Sequence, residues 1–248
     1  MIFVDVHAHL QDKRFEDKAK IVDDAVKKGV KIIINNGLEL ESNRETLELA
    51  KKFPAVKAAL GLYPTEALKL SEKEIDAQLS FIKKNKNKIV AVGEVGMDYL
   101  RSEEKERQKN IFSRLIGLAQ EIDKPLIVHS RKAEEDVIRL LEEKKARKVV
   151  MHCFTGSMKM VKRIEKNRWL LSIPCTVVRD QHFRNIVKEV PITQLLTESD
   201  APYLSPAPGQ LNEPANIIRS IEKIAALKGM EREEVANNIF SNYKRLFE

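Results

Sequence analysis

Residues 1–10 read MIFVDVHAHL. A short apolar run, IFVDV, hands over to two histidines one position apart, His7 and His9. Successive side chains on a strand point to opposite faces, so these two imidazoles share a face. Aimed the same way at the end of a strand, they can serve one metal ion. The fold follows from whether the pattern recurs, and it does. KIIIN, VKAAL, IVAVG, PLIVH, KVVMH, WLLSI and QLLTE come next, so eight runs are each too short for a helix and several are rich in Val and Ile. Between them lie amphipathic segments such as DKAKIVDDAVKKG, SEKEIDAQLSFIKKN and KAEEDVIRLLEEKK, with apolar residues at helical spacing. Eight strand–helix units in about 250 residues is the arithmetic of a (β/α)8 TIM barrel. The structural alternative is a doubly wound open sheet. No Pro/Ser/Gly-rich linker breaks the alternation, so one α/β domain over residues 1–248 is expected.

Local punctuation agrees. Ser42, Ser71 and Ser157 each open a helical pattern as an N-cap, and Glu74 three residues after Ser71 completes a capping box. Gly29 and Gly229 fall where a helix end wants a left-handed residue. The composition is 43% hydrophobic and 33% charged, which suits a packed globular protein and argues against disorder. The net charge of +7 favours acidic partners, nucleic acid among them. The two cysteines, Cys153 and Cys175, have no framework spacing and fit a reducing compartment. No stretch reaches membrane-spanning length, and the N-terminus lacks the parts of a signal peptide. A soluble cytoplasmic protein is expected. No heptad pattern marks an oligomer, so a monomer is expected too.

In parallel α/β folds the active site lies at the carboxyl ends of the strands. There this chain carries VDVHAH, GLYP, AVGEVGMDY, LIVHSR, VMHCFTGS and LLTESDAPYL. His7, His9, Glu94, His129, His152 and Asp200 all sit where a strand hands over to its loop, and of the five histidines only His182 lies in a helical segment. Unmatched ionisable groups at the ends of apolar runs cost several kcal/mol to bury, and a shared cation supplies the missing countercharge. Imidazole with carboxylate suits Zn, Mn, Co or Fe, and Mg less well. Six ligands exceed the needs of one catalytic ion and fit two divalent ions, with Glu94 as the natural bridge.

These residues lie in motifs that resemble a known family. DVHAHL, GLYPTEA, VGEVGMDY, PLIVHSR, HCFTGS, LLTESDAPYLSP and NEP, in that order, are similar to those of the TatD-related DNases, metal-dependent hydrolases of the amidohydrolase superfamily. The resemblance implies one ion held by His7, His9 and Asp200 and a second by His129 and His152, with Glu94 bridging. It also implies phosphodiester hydrolysis on DNA, typically from a free end. The basic charge is consistent with a nucleic-acid substrate, and DNA is expected over RNA. Two departures bear on substrate contacts. Many relatives have His where this chain has Tyr63, and a basic residue where it has Leu211.

In the mechanism this suggests, Asp200 accepts the proton of the attacking water and passes it to the leaving oxygen. Glu94 holds the ions together. Phosphate contacts are expected from Thr155 and Gly156, ahead of the helix that opens at Ser157, and from Tyr63, Arg131, Arg179 and Arg101 on the same rim. Lys124 and Lys148 belong to the opposite face, Cys153 and Trp169 read as packing, and Cys175 lies near the rim. The alternative enzyme is an amidohydrolase cleaving a C–N or ester bond in a small molecule or an aminoacyl-tRNA. A non-catalytic nucleic-acid binder would need a basic stripe with interleaved aromatics, and aromatics are only 6% of the chain.

Overall fold

The computed structural model describes residues 1–248. Eight parallel strands follow chain order around one sheet: β1 (Phe3–Ala8), β2 (Val30–Asn36), β3 (Val56–Leu60), β4 (Ile89–Asp98), β5 (Leu126–Arg131), β6 (Val149–Met151), β7 (Leu170–Pro174) and β8 (Leu195–Glu198). Helices return the chain between successive strands, giving a single-domain (β/α)8 barrel. All eight expected strands are present.

The helical layer is built from one-sided helices. In Glu134–Glu143 the buried residues are Val137, Ile138 and Leu141, and three acids occupy its first turn, where the helix dipole favours them. The longer helix Lys105–Glu121 buries Ile111, Phe112, Leu115 and Ile116 with the same spacing. No helix is long and apolar enough to cross a membrane. Trp169 is buried ahead of β7, where its indole N–H donates to the Ala146 carbonyl at 2.9 Å.

Ser71 and Ser157 cap their helices as expected, and Ser71 shares a capping box with Glu74. Gly229 takes φ +63° at a helix end and Gly29 takes φ +98° just past one. Ser42 departs from expectation. The cap of helix Leu40–Lys52 is Glu39, whose carboxylate accepts from the Ser42 amide, while the Ser42 hydroxyl reaches back to the Glu39 amide. The capping box is present with its two side-chain roles exchanged, so the helix begins earlier than Ser42 predicts.

A second departure shapes the site. The run IVAVG suggested a strand ending before Glu94, yet β4 continues to Asp98. An irregularity between Val92 and Val95 lets it resume pairing with β5, Val95 beside Val128 and Asp98 beside Arg131. Glu94 therefore lies within a strand, as do His7 and His129, while His9, His152 and Asp200 lie one or two residues past theirs.

The seam between first and last strands is joined largely by residues near the mouth. Asp200 N donates to His7 O and His9 N to Ala201 O, both at 2.8 Å. Below them the Asp5 carboxylate accepts from the Ser199 amide (2.8 Å) and hydroxyl (2.6 Å).

Candidate metal centre

The six expected donors meet at the carboxyl end of the barrel. His7 and His9 do share a face, with their Nε2 atoms 3.1 Å apart. His7 Nε2 lies 3.3 Å from Glu94 Oε2 and 3.6 Å from Asp200 Oδ1, and His9 Nε2 lies 3.4 and 3.5 Å from the same two oxygens. Donors at about 2.1 Å from a tetrahedral cation stand about 3.4 Å from one another. The spacing of this group fits such an ion.

Glu94 divides its carboxylate. While Oε2 faces His7 and His9, Oε1 lies 2.8 Å from His129 Nδ1 and 3.9 Å from His152 Nε2. His152 Nε2 is also 3.9 Å from Asp200 Oδ1, so the second group is looser than the first. Candidate ligand atoms fall within 4.8 Å of one another in two sets, His7 with His9 and Asp200, and His7 with Glu94 and His152. His129 joins through Glu94 Oε1.

The other nitrogen of each imidazole shows which one is free. His9 Nδ1 donates to the Asn36 carbonyl at 2.9 Å, an oxygen that can only accept, so Nε2 keeps its lone pair for the cluster. His152 Nδ1 donates to Glu198 Oε2 at 2.7 Å, so Nε2 is the nitrogen that faces the cluster and gives up its hydrogen when a cation binds. Glu198 is fully buried and also accepts from the Ser172 hydroxyl. On His129, Nε2 faces the Tyr63 hydroxyl at 3.2 Å, and that hydroxyl is 2.9 Å from Asp98 Oδ2. His7 Nδ1 is buried without a partner.

The electrostatics are those of a packed cluster. Burial drives His7 down to about 4, aided by His152, which stacks on it with centroids 3.6 Å apart, so His7 is neutral at physiological pH. Burial opposes charge on His152 too, but Glu198 and Asp200 outweigh it and push this imidazole up to about 9. Burial likewise opposes ionisation of Glu94 and Asp200, and the surrounding histidines still hold both carboxyls below the usual range. Four imidazoles and two ionised carboxylates crowd one end of the barrel. Protons on imidazoles such as His152 balance those carboxylates, and a divalent cation would take over that role by displacing them.

Around the rim, Arg101, Arg131 and Arg179 are exposed. Arg179 donates to the Ser205 carbonyl at 3.2 Å, and the Thr155 hydroxyl donates to Glu134 at 3.0 Å. Gly156 is buried against the Phe154 ring, and Leu211 is exposed. Tyr63 is only 8% exposed and its hydroxyl is committed to Asp98 and His129. Cys175 is buried, its thiol 3.6 Å from the Glu198 carbonyl oxygen. Sequence reasoning did not single out Asp98 or Glu198, although both stand in the motifs GMDY and TESD. The available signal was a second carboxylate close to a proposed ligand at a strand end, Asp98 four residues after Glu94 and Glu198 two before Asp200, although Asp98 also has Arg101 3.7 Å from its Oδ2.

The whole barrel has relatives. An uncharacterized metal-dependent hydrolase of Methanocaldococcus jannaschii is 36% identical over 99% of this chain and 96% of its own length. Deoxyribonuclease TATDN3 of Homo sapiens is 32% identical over 98% of this chain and 94% of its own. Among solved structures, the TatD homolog YJJV of Escherichia coli superposes with a TM-score of 0.91 at 29% identity, covering 99% of this chain and 97% of that one. The family described as TatD related DNase matches residues 4–248. The chain belongs to that family and is a metal-dependent hydrolase of the TatD type.

Proposed function

We propose that this protein is a deoxyribonuclease that hydrolyses phosphodiester bonds with two divalent ions, one held by His7, His9 and Asp200, the other by His129 and His152, with Glu94 shared between them. The observation that carries the reading is the divided carboxylate of Glu94, one oxygen turned to each group of donors. The donor set of imidazole and carboxylate suits Zn, Mn or Co, with Mg less favoured. When bound, such ions acidify a water and neutralise the charge that grows on the phosphoryl oxygens. The substrate class is supported by the net charge of +7, and the human relative is named a deoxyribonuclease.

The chain's own residues divide the remaining work. Asp200 turns Oδ1 to the histidines and leaves Oδ2 without a protein donor, so Oδ2 is placed to take the proton of the attacking water and return it to the leaving oxygen. Asp200 sits in the left-handed region at φ +55°, a conformation that Asp tolerates better than most residues, and its backbone amide is tied to His7. Glu198 and Asn36 fix His152 and His9, so the donors need little reorganisation. Arg131 and Arg179 are available to hold the flanking phosphates.

The test is a time course on single-stranded DNA labelled separately at each end, run with Mg, Mn, Zn or EDTA, beside Asp200→Asn. Metal-dependent nucleotide release is expected, slowed about 10²- to 10⁴-fold in the variant with its fold intact. A near wild-type rate in Asp200→Asn would remove Asp200 from the chemistry. No cleavage by wild-type protein with metal bound would discard the phosphodiester substrate and turn attention to amides and esters.

A further inference from the structure

The environment of Tyr63 gives it a different task from phosphate binding. The residue follows β3 at the start of the short helix Pro64–Ala67, and its backbone amide donates to the Leu38 carbonyl at 2.8 Å. Its hydroxyl lies between two groups, 2.9 Å from Asp98 Oδ2 and 3.2 Å from His129 Nε2. Asp98 is fully buried, and its other oxygen, Oδ1, accepts from the backbone amides of Leu100 and Arg101, both at 3.1 Å.

Counting donors settles the direction of this chain. An ionised carboxylate only accepts, so the single proton of Tyr63 goes to Asp98. The tyrosine oxygen then offers a lone pair to His129 Nε2, which must carry a hydrogen. Its Nδ1 is left with a lone pair, aimed at Glu94 Oε1 only 2.8 Å away. Two acceptors that close need a positive species shared between them. Asp98 cannot replace Tyr63 directly, because its oxygen is 3.4 Å from His129 Nε2, longer than a good N–H···O bond.

We propose that Tyr63 is a positioning residue whose hydroxyl, relaying between Asp98 and His129, fixes the His129 tautomer that leaves Nδ1 free for a cation and so sets the affinity of the second ion. This rests on the two-ion reading above. Of the first ion's ligands only the shared Glu94 meets His129, and no hydrogen bond or ion pair joins His7, His9 or Asp200 to Tyr63 or Asp98. Loss of the relay therefore weakens one ion and spares the other.

Two isosteric substitutions probe it from opposite ends. Tyr63→Phe deletes the acceptor for His129. Asp98→Asn reverses the relay: the amides of Leu100 and Arg101 keep the Asn oxygen on their side, so its NH₂ donates to Tyr63, which must then donate to His129 Nε2. That moves the imidazole proton to Nδ1, the atom meant for the cation.

The experiment titrates Mn²⁺ into chelator-stripped wild type and both variants by calorimetry, and records ¹⁵N imidazole shifts of the Zn²⁺-loaded proteins. Wild type should take two ions with His129 protonated at Nε2. In each variant the second ion should bind about 10- to 100-fold more weakly while the first is unchanged. The larger loss, and a shift of the proton to Nδ1, should appear in Asp98→Asn. If wild type binds fewer than two ions, the two-ion reading fails before Tyr63 is tested. If wild type binds two ions and both variants match it in affinity and tautomer, the relay proposal falls. Equal weakening of both ions would also overturn it, because that marks general damage to the barrel mouth.

Discussion

Replacing Gly61 with Ala should damage the site from behind. Gly61 is the first residue after β3, in GLYP, and its backbone presses against β4 at Glu94. An added Cβ would lie 2.3 Å from the Glu94 carbonyl oxygen and 2.4 Å from its nitrogen, where ordinary contacts begin at 3.4 Å. The two backbones would have to part by about 1 Å. Gly61 cannot retreat freely, because Asn43 grips it on both polar atoms: Gly61 N donates to Asn43 Oδ1 at 3.0 Å, and Asn43 Nδ2 donates to Gly61 O at 2.7 Å. The displacement therefore falls on Glu94. Overpacking of this kind costs about 1–3 kcal/mol of stability. A misplacement of about 1 Å at a reacting centre costs about 10²-fold in rate. Gly117→Ala is the control, since nothing lies within 4 Å of a Cβ added in that helix, and it should gain about 0.5–1 kcal/mol. Urea unfolding and turnover at saturating metal would be measured on both. If Gly61→Ala matched Gly117→Ala in stability and rate, the claim that β3 sets the position of Glu94 would be wrong.

Two further predictions concern buried carboxylates. Glu198→Gln keeps an acceptor for His152 Nδ1 but removes its charge, so metal affinity should fall about 10-fold and further in Glu198→Ala, read by the same Mn²⁺ titration; unchanged binding in both would show that Glu198 only fills space. Burial pushes Asp5 from 3.8 up to about 8, although Ser199 and the His7 amide hydrogen-bond to it. The folded protein thus holds a proton there that the unfolded chain releases above about pH 4, so this group's contribution is fully present below that pH and is lost as pH rises through 8. In EDTA, the stability of wild type relative to Asp5→Asn should fall steadily over that window, and a flat difference in urea melts would contradict the assignment.

Much of this was legible along the chain because strand periodicity is local. The spacing of His7 and His9 shows a shared face wherever the strand ends up. Positions relative to strand ends were less legible. Glu94 looked like a strand-end residue because IVAVG reads as complete, and only pairing with β5 carries β4 on to Asp98. The supporting groups were hidden for a related reason. Tyr63 meets His129 across 66 positions, and His152 meets Glu198 across 46, so no window of sequence contains either pair. Ser42 misled on a smaller scale, because Glu39 can fill the same capping role three residues earlier.

The donors are distributed along the chain in a way that governs when activity can appear. His7, His9 and Glu94 belong to the first four strands, and His129, His152 and Asp200 to the last four. Neither half-barrel holds a full set, and Asp200 comes only after the final strand. During synthesis, a growing chain that has not yet docked β8 therefore has an incomplete cluster and an open seam. On the proposed nuclease reading, an enzyme made on a ribosome crowded with nucleic acid has no complete metal site until its last strand is in place.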